Sequence, residues 1–269
     1  MFRRKDRVEI KTPEQIDLMR AAGLVVARTL EMLEQAVAPG VTPRQLDALA
    51  QDSIRSHGAI PSFLGYYGYP ASICTSVNDE VVHGIPGDRR LEEGDQISID
   101  CGAILGGWHG DAAITVSVGE VDPESAELSR VTQAALWAGI AACQVGGRLD
   151  DIGSAVERSV RAAPAGSSYG IVREYVGHGI GTSMHMDPNV PNYHVPGRTL
   201  ELVAGMALAI EPMVNMGTYR VKVLKDGWTA VTGDSKPSAH FEHSVVVREH
   251  GGEVLSYLPG FTWGMDAGE

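Results

Sequence analysis

Between Gln96 and Val118 the chain reads as a β-hairpin in which each arm carries an aspartate, and that placement leaves few structures open. Asp100 and Asp111 flank the turn-prone stretch Leu105-Gly106-Gly107. A two-residue turn centred on Leu105-Gly106 or on Gly106-Gly107 puts both carboxylates on one face of the ribbon, because side chains alternate along a strand. Like charges side by side repel, and a cation relieves that repulsion. Three further segments add side chains of the same chemistry. They are His178 within Gly177–Gly181, Glu211 at the end of the apolar run Met206–Ile210, and Glu242 in Phe241-Glu242-His243. Four carboxylates with one imidazole form a paired divalent-metal set whose hard oxygens suit Mn, Fe, Co or Zn better than a thiolate site would.

Taken singly, each member has an ordinary explanation. Either aspartate is a common turn or strand residue, and His178 among glycines reads equally as a loop imidazole bonded to backbone. Glu211-Pro212 would end a strand, since proline cannot donate the next ladder bond. Yet Glu211 follows an apolar run, where a buried charge is costly without a partner. The five together, each in apolar or glycine-rich surroundings, argue for one site.

The chain has 269 residues, 43% of them hydrophobic, and a net charge of −12, enough for one large domain or two fused halves with a substantial core. No apolar run approaches the ~20 residues of a membrane span, and the basic start at Met1–Arg7 lacks the apolar stretch of a secretory signal, which leaves the cytoplasm as the expected compartment. Cys74, Cys101 and Cys143 are widely spaced, which argues against a disulfide framework or a cysteine-type zinc site. The acidic balance discourages nucleic-acid binding. The run Arg3-Arg4-Lys5 reads as a frayed terminus. Neither a phosphate loop nor a Gly-x-Ser-x-Gly nucleophile is present.

Thr12-Pro13-Glu14-Gln15 is a capping box with proline at the first helical position, and apolar residues at helical spacing from Ile16 to Leu33 extend one long helix towards Pro39-Gly40. Thr42-Pro43-Arg44-Gln45 repeats the signal and starts a helix that ends near His57-Gly58. The same order then recurs. Pro123 opens a helix to about Gln144, Leu149–Ala163 forms another, and the strands bearing Glu211 and Glu242 follow. This predicts an α+β fold of two duplicated halves, about 12–120 and 121–255, that share a curved sheet with helices outside. A short segment, 1–11, precedes a single catalytic domain over 12–269. Asp100 and Asp111 would come from one half, the other three ligands from the second, with the site at the junction.

From about Thr12 to Leu255 the chain resembles the type I methionine aminopeptidases of peptidase family M24, its short actinobacterial-type members most of all. The resemblance rests on Gly65-Tyr66-Tyr67-Gly68-Tyr69-Pro70, Val77–Pro86, Ser98–Gly102, His109-Gly110-Asp111, Gly177–Gly181 and Ser238–His243, in that order. It implies the pita-bread fold, an antiparallel curved sheet in pseudo-twofold halves, and a centre holding two ions of Co, Mn, Fe, Zn or Ni. By motif position Asp100 would chelate one metal, His178 and Glu211 the other, and Asp111 and Glu242 would bridge both. His83 and His185 would stand beside the substrate without ligating. A water bridging two cations has its pKa lowered towards neutrality, so that hydroxide can attack the scissile carbonyl. Glu211 would move the proton to the leaving amine, His185 would stabilise the oxygen of the tetrahedral intermediate, and His83 would contact the scissile amide.

The resemblance also assigns the methionine side chain to a pocket of Tyr66, Tyr69, Cys74, Met184 and Trp228, with Phe63 alongside, since aromatic and sulfur contacts suit a thioether. Tyr67 reads instead as core packing. Removal would be efficient only before a small second residue. The implied substrates are nascent polypeptides with amino-terminal methionine, handled by a monomer without nucleic acid or membrane. With no Cys/His-rich amino-terminal extension, any ribosome contact would use the catalytic domain. Phe63, Met184, Met186 and His240 stand where many bacterial relatives have Cys, Phe, Glu and Gln, and none of these departures removes a ligand. The competing readings are a proline-specific peptidase of the same fold and a non-catalytic binding module that has lost its metals.

Overall fold

The computed structural model describes residues 8–260. The basic run Arg3-Arg4-Lys5 and the last nine residues of the expected 12–269 domain lie outside them. Two runs of elements follow one another. The first is α1 (Pro13–Ala36), α2 (Pro43–Ser56), β1 (Ile60–Pro61), β2 (Ile73–Val77), β3 (Glu80–Val82), β4 (Gln96–Leu105) and β5 (Trp108–Ser117). The second is α3 (Pro123–Ala142), α4 (Leu149–Ala162), β6 (Gly170–Ile171), β7 (Gly177–Gly179), β8 (Met186–Val190), β9 (Ala207–Ile210), β10 (Met213–Asn215), β11 (Val221–Val223), β12 (Ala230–Thr232), β13 (Ser238–His240), β14 (Glu242–Arg248) and β15 (Gly251–Val254).

Local chemistry accounts for the helices. The Thr12 and Thr42 side chains accept from the backbone of Gln15 and Gln45, whose own side chains return the bond, so both capping boxes form and proline occupies each first turn. In α1 the buried stripe Ile16, Met19, Val26, Leu30 and Leu33 faces the sheet. The helix stops at Ala36, three residues before Pro39, with the Val37 amide bonded back to Leu33 and Glu34. Close approach to the sheet is set by glycine. A Cβ on Gly110 would lie 2.5 Å from the Gly23 nitrogen, so α1 crosses β5 nearly backbone to backbone.

The Asp-bearing ribbon turns on Gly106-Gly107, with Leu105 opposite Trp108. Both glycines have positive φ, 59° and 85°, which a tight two-residue hairpin of this hand requires. Strands β1-β4-β5-β14-β9-β7-β8 form the antiparallel path of a nine-stranded sheet, to which β2 and β15 add at the side. The seam between the two runs is β5 against β14, with Glu242 opposite Ala113 and His243 opposite Ala112. Among the described residues this is the α+β pita-bread architecture, a curled antiparallel sheet backed by four α-helices. No described helix is long and apolar enough to cross a membrane.

Alternation along each central strand separates two faces. Ile97, Ile99 and Cys101 on β4, Ala112, Ile114 and Val116 on β5, Leu208 and Ile210 on β9, and Val245 and Val247 on β14 join the core cluster that the helices cover. The intervening residues point the other way. That second face is also buried, so its polar side chains must find partners inside the protein.

Candidate metal centre

Register brings the sequence-predicted ligands into two adjacent rows on this second face. Across β2, β4, β5 and β14 one row runs Cys74, Asp100, Ala113, Glu242. Two residues along the strands, Asp111 lies opposite Gly102, Ser244 opposite Ala209, and His178 opposite Ala209. The Asp111 amide donates to the Ser244 hydroxyl at 3.0 Å, and that hydroxyl donates to the Asp111 carbonyl at 2.8 Å, which ties the second row together across the seam. Glu211 follows the last residue of β9, and the Asn192 side chain holds its carbonyl at 3.0 Å. Both aspartates thus sit on one face of the hairpin, as the spacing requires.

His178 Nε2 lies 3.5 Å from Glu211 Oε1 and 3.9 Å from Asp111 Oδ2. Ligand atoms of Asp111, His178 and Glu242 all fall within 4.8 Å of one another, as do those of Glu211, His240 and Glu242. His178 Nδ1 is 2.9 Å from the Gly179 carbonyl, to which it must donate, so Nε2 presents its lone pair to the carboxylates. The backbone-bonded reading of His178 is thus seen at Nδ1, and it leaves Nε2 free for the role the sequence suggests. Burial, with the neighbouring His185, pushes the His178 pKa down to about 3 and keeps the ring neutral.

The carboxyls carry the opposite strain. Burial pushes Asp100 up to about 7, and burial with mutual repulsion drives Asp111, Glu211 and Glu242 well above the usual range. Asp100 Oδ1, Asp111 Oδ1 and Glu242 Oε1 are shut off from solvent without a hydrogen-bond partner. Orphaned buried carboxylate oxygens are expensive, and their convergence on a neutral imidazole nitrogen fits a pair of divalent cations.

The centre forms the floor of a cavity of about 320 Å³. Phe63, Tyr66, Tyr69, Cys74 and Trp228 line its walls with His83 and His185. Tyr69 and Trp228 meet edge to face at 5.1 Å, and the Tyr69 hydroxyl donates to the Gly84 carbonyl at 2.8 Å. His83 adopts a positive φ of 60° and packs its ring against Tyr175. A non-glycine residue in this region is held there by its surroundings, as happens where a side chain must be aimed.

Two residues differ from the sequence-based reading. Met184 is 1% exposed and does not line the cavity; it packs behind the wall, where a Cβ on Gly102 would come within 2.6 Å of its Cε. Tyr67, read as core packing, is 86% exposed at the mouth of the same cavity. The sequence carried one signal, since Tyr67 stands in a Gly-Tyr-Tyr-Gly stretch of turn-prone composition, and in the structure its φ of 47° lies in the left-handed region. His240 was noted only as a departure, although its position two residues before Glu242 places it on the ligand face by strand period.

The match to Metallopeptidase family M24 spans residues 17–249. The methionine aminopeptidase of Clostridium perfringens is 49% identical over 93% of this chain and 98% of its own length. Methionine aminopeptidase 1 of Mycobacterium tuberculosis is 53% identical over 90% of this chain and 92% of its own. Among solved structures, the methionine aminopeptidase of Rickettsia prowazekii superposes with a TM-score of 0.90 at 41% identity, covering 93% of this chain and all of that one. The prolidase of Pyrococcus furiosus, at 21% identity and a TM-score of 0.74 over 94% of this chain and 67% of that one, shares the fold.

Proposed function

Because this chain belongs to metallopeptidase family M24, we infer that it hydrolyses the first peptide bond of polypeptides that begin with methionine, using two divalent cations. The observation that carries this reading is the set of five ligand-type side chains on one buried sheet face, with unpartnered oxygens at Asp100, Asp111 and Glu242. Asp100 would hold one ion, His178 and Glu211 the other, with Asp111 and Glu242 shared. When bound, such a pair supplies an activated water and polarises the scissile carbonyl.

The chain's own groups do the rest. Glu211, ionised when the cations are held, accepts a proton at Oε and returns it to the leaving amine. His185 donates to the oxygen that gains charge in the tetrahedral intermediate, and His83 contacts the scissile amide. Phe63, Tyr66, Tyr69, Cys74 and Trp228 enclose the methionine side chain and exclude water, while Met184 supports that wall from behind. The free α-amine must lie at the centre itself, which confines cleavage to the chain end. Loops around the mouth, where Tyr67 stands, would collide with a bulky second side chain, so small second residues are favoured.

The two helix-helix-strand runs support a duplicated origin, with halves at about 12–120 and 121–255. The same reading makes the protein a cytoplasmic monomer that acts on nascent chains. The deciding experiment is release of the amino-terminal residue from Met-Gly-Met-Met and from an Xaa-Pro peptide by metal-free protein reloaded with Co or Mn. Release from the first alone is expected. Cleavage of the second alone would move the chain to the proline-specific branch, and silence on both would favour a binding module.

A further inference from the structure

Tyr66 touches more than the methionine pocket, for its hydroxyl lies 2.8 Å from His185 Nδ1. The residue is firmly held. Its amide donates to the Phe63 carbonyl and its carbonyl accepts from the Tyr69 amide, both at 2.9 Å, while its ring sits 4.7 Å from Tyr67 and 5.4 Å from His185. A neutral imidazole carries one N–H and one lone pair, so whichever role Nδ1 takes with this hydroxyl dictates the role of Nε2.

The surroundings choose between the two patterns. If Nδ1 donated to the tyrosine oxygen, Nε2 would offer a lone pair in a cavity that also holds Asp111, His178, Glu211 and Glu242, and would compete as a further cation ligand. If the phenol donates, Nε2 carries hydrogen and can only donate, which is what an oxygen gaining charge requires. A phenol is both a good donor and free to turn its hydrogen, and imidazole nitrogen is a good acceptor.

We propose that Tyr66 is a positioning residue for His185: its hydroxyl donates to Nδ1, fixes the hydrogen on Nε2, and thereby makes His185 a hydrogen-bond donor to substrate and not a metal ligand. The donor's use in catalysis rests on the function inferred above; the tautomer does not. Long-range 1H–15N spectra of the full, metal-free protein read the tautomer directly, and a His185→Gln variant identifies the ring's signals by their absence. An acceptor-type shift at Nδ1 and a protonated Nε2 are expected in the parent chain. Tyr66→Phe, checked for folding by thermal melting, is expected to lose that preference and to lower kcat on Met-Gly-Met-Met roughly tenfold with KM changed less than about threefold. Co titration of the same variant reads whether His185 has become a ligand. A parent chain with hydrogen on Nδ1 overturns the proposal even if Tyr66→Phe does not fold, as does a folded Tyr66→Phe with unchanged tautomer and kcat. A parent chain with the expected tautomer but no methionine release overturns the functional reading alone.

Discussion

Asp100 and Glu242 flank Ala113, one on each neighbouring strand and all three at the same register level. On the face shared by the two carboxyls Ala113 carries only a methyl group, so it takes up little room between them. Ala113→Leu is expected to put a bulky side chain between Asp100 and Glu242. Overpacking costs about 1–3 kcal/mol, so the protein should still fold with a lowered Tm. Calorimetric titration with Mn should show affinity reduced at least roughly tenfold. Unchanged affinity would mean that the cations do not occupy the space above Ala113.

Asp111 is, with Glu242, one of two carboxyls expected to be shared by both ions, and it sits at the seam between the two runs. Asp111→Ala should fold, because the Ser244 bonds go to its backbone and survive the substitution. Activity should fall by several orders of magnitude. Near-normal turnover would sink the two-metal account.

Removal of the His185 ring should leave metal content unchanged while kcat falls by roughly ten- to a thousandfold, the range for losing a transition-state hydrogen bond. Metal analysis of His185→Ala separates the roles, since loss of an ion would make His185 a ligand.

His240 Nε2 lies 3.8 Å from Glu211 Oε2, is buried, and has no hydrogen-bond partner. Burial pushes its pKa down to about 3, so it faces Glu211 as a neutral ring that can donate from Nε2. His240→Gln keeps a donor and should hold kcat/KM within about threefold, whereas His240→Leu should cost roughly tenfold or more. Equal losses in both variants would argue against a donor role for His240 towards Glu211.

Metal affinity should rise with pH. With its pKa raised by burial to about 7, Asp100 keeps a proton that the unfolded chain has lost above about 3.8. Its favourable effect on the metal-free protein is therefore complete at low pH and declines as pH climbs towards 7. Cation binding needs the ionised form, so protons compete below about pH 7 and are released on binding. Titrations at about pH 6.5 in buffers of different ionisation enthalpy read that release, and heats independent of buffer would show carboxyls already ionised. The Tm gap between loaded and metal-free protein should widen from about pH 5 to about pH 8.

Much of this architecture was legible without coordinates because it depends on local chemistry. The capping boxes at Thr12 and Thr42 start their helices through atoms three residues apart. The placement of Asp100 and Asp111 on one face follows from a period of two and a glycine turn, whichever dipeptide forms it. Orientation of side chains beyond their own strand was not legible. Met184 and Tyr67 belong to segments whose composition suits a pocket wall or a core equally well, and only packing decides that one lies behind the wall and the other at its mouth.

The sequence by itself therefore determined which residues carry carboxylates and imidazoles in apolar or glycine-rich surroundings, the strand alternation that turns Asp100 and Asp111 to one face, and where the helices start, since each of these features depends on residues close by in the chain. Only the tertiary structure decided that β5 pairs with β14, that Ala113 separates Asp100 from Glu242, and that Tyr66 reaches His185 across 119 positions of chain. Contacts of that span carry no local signature, because they depend on the closure of long loops and on which buried faces can cover one another.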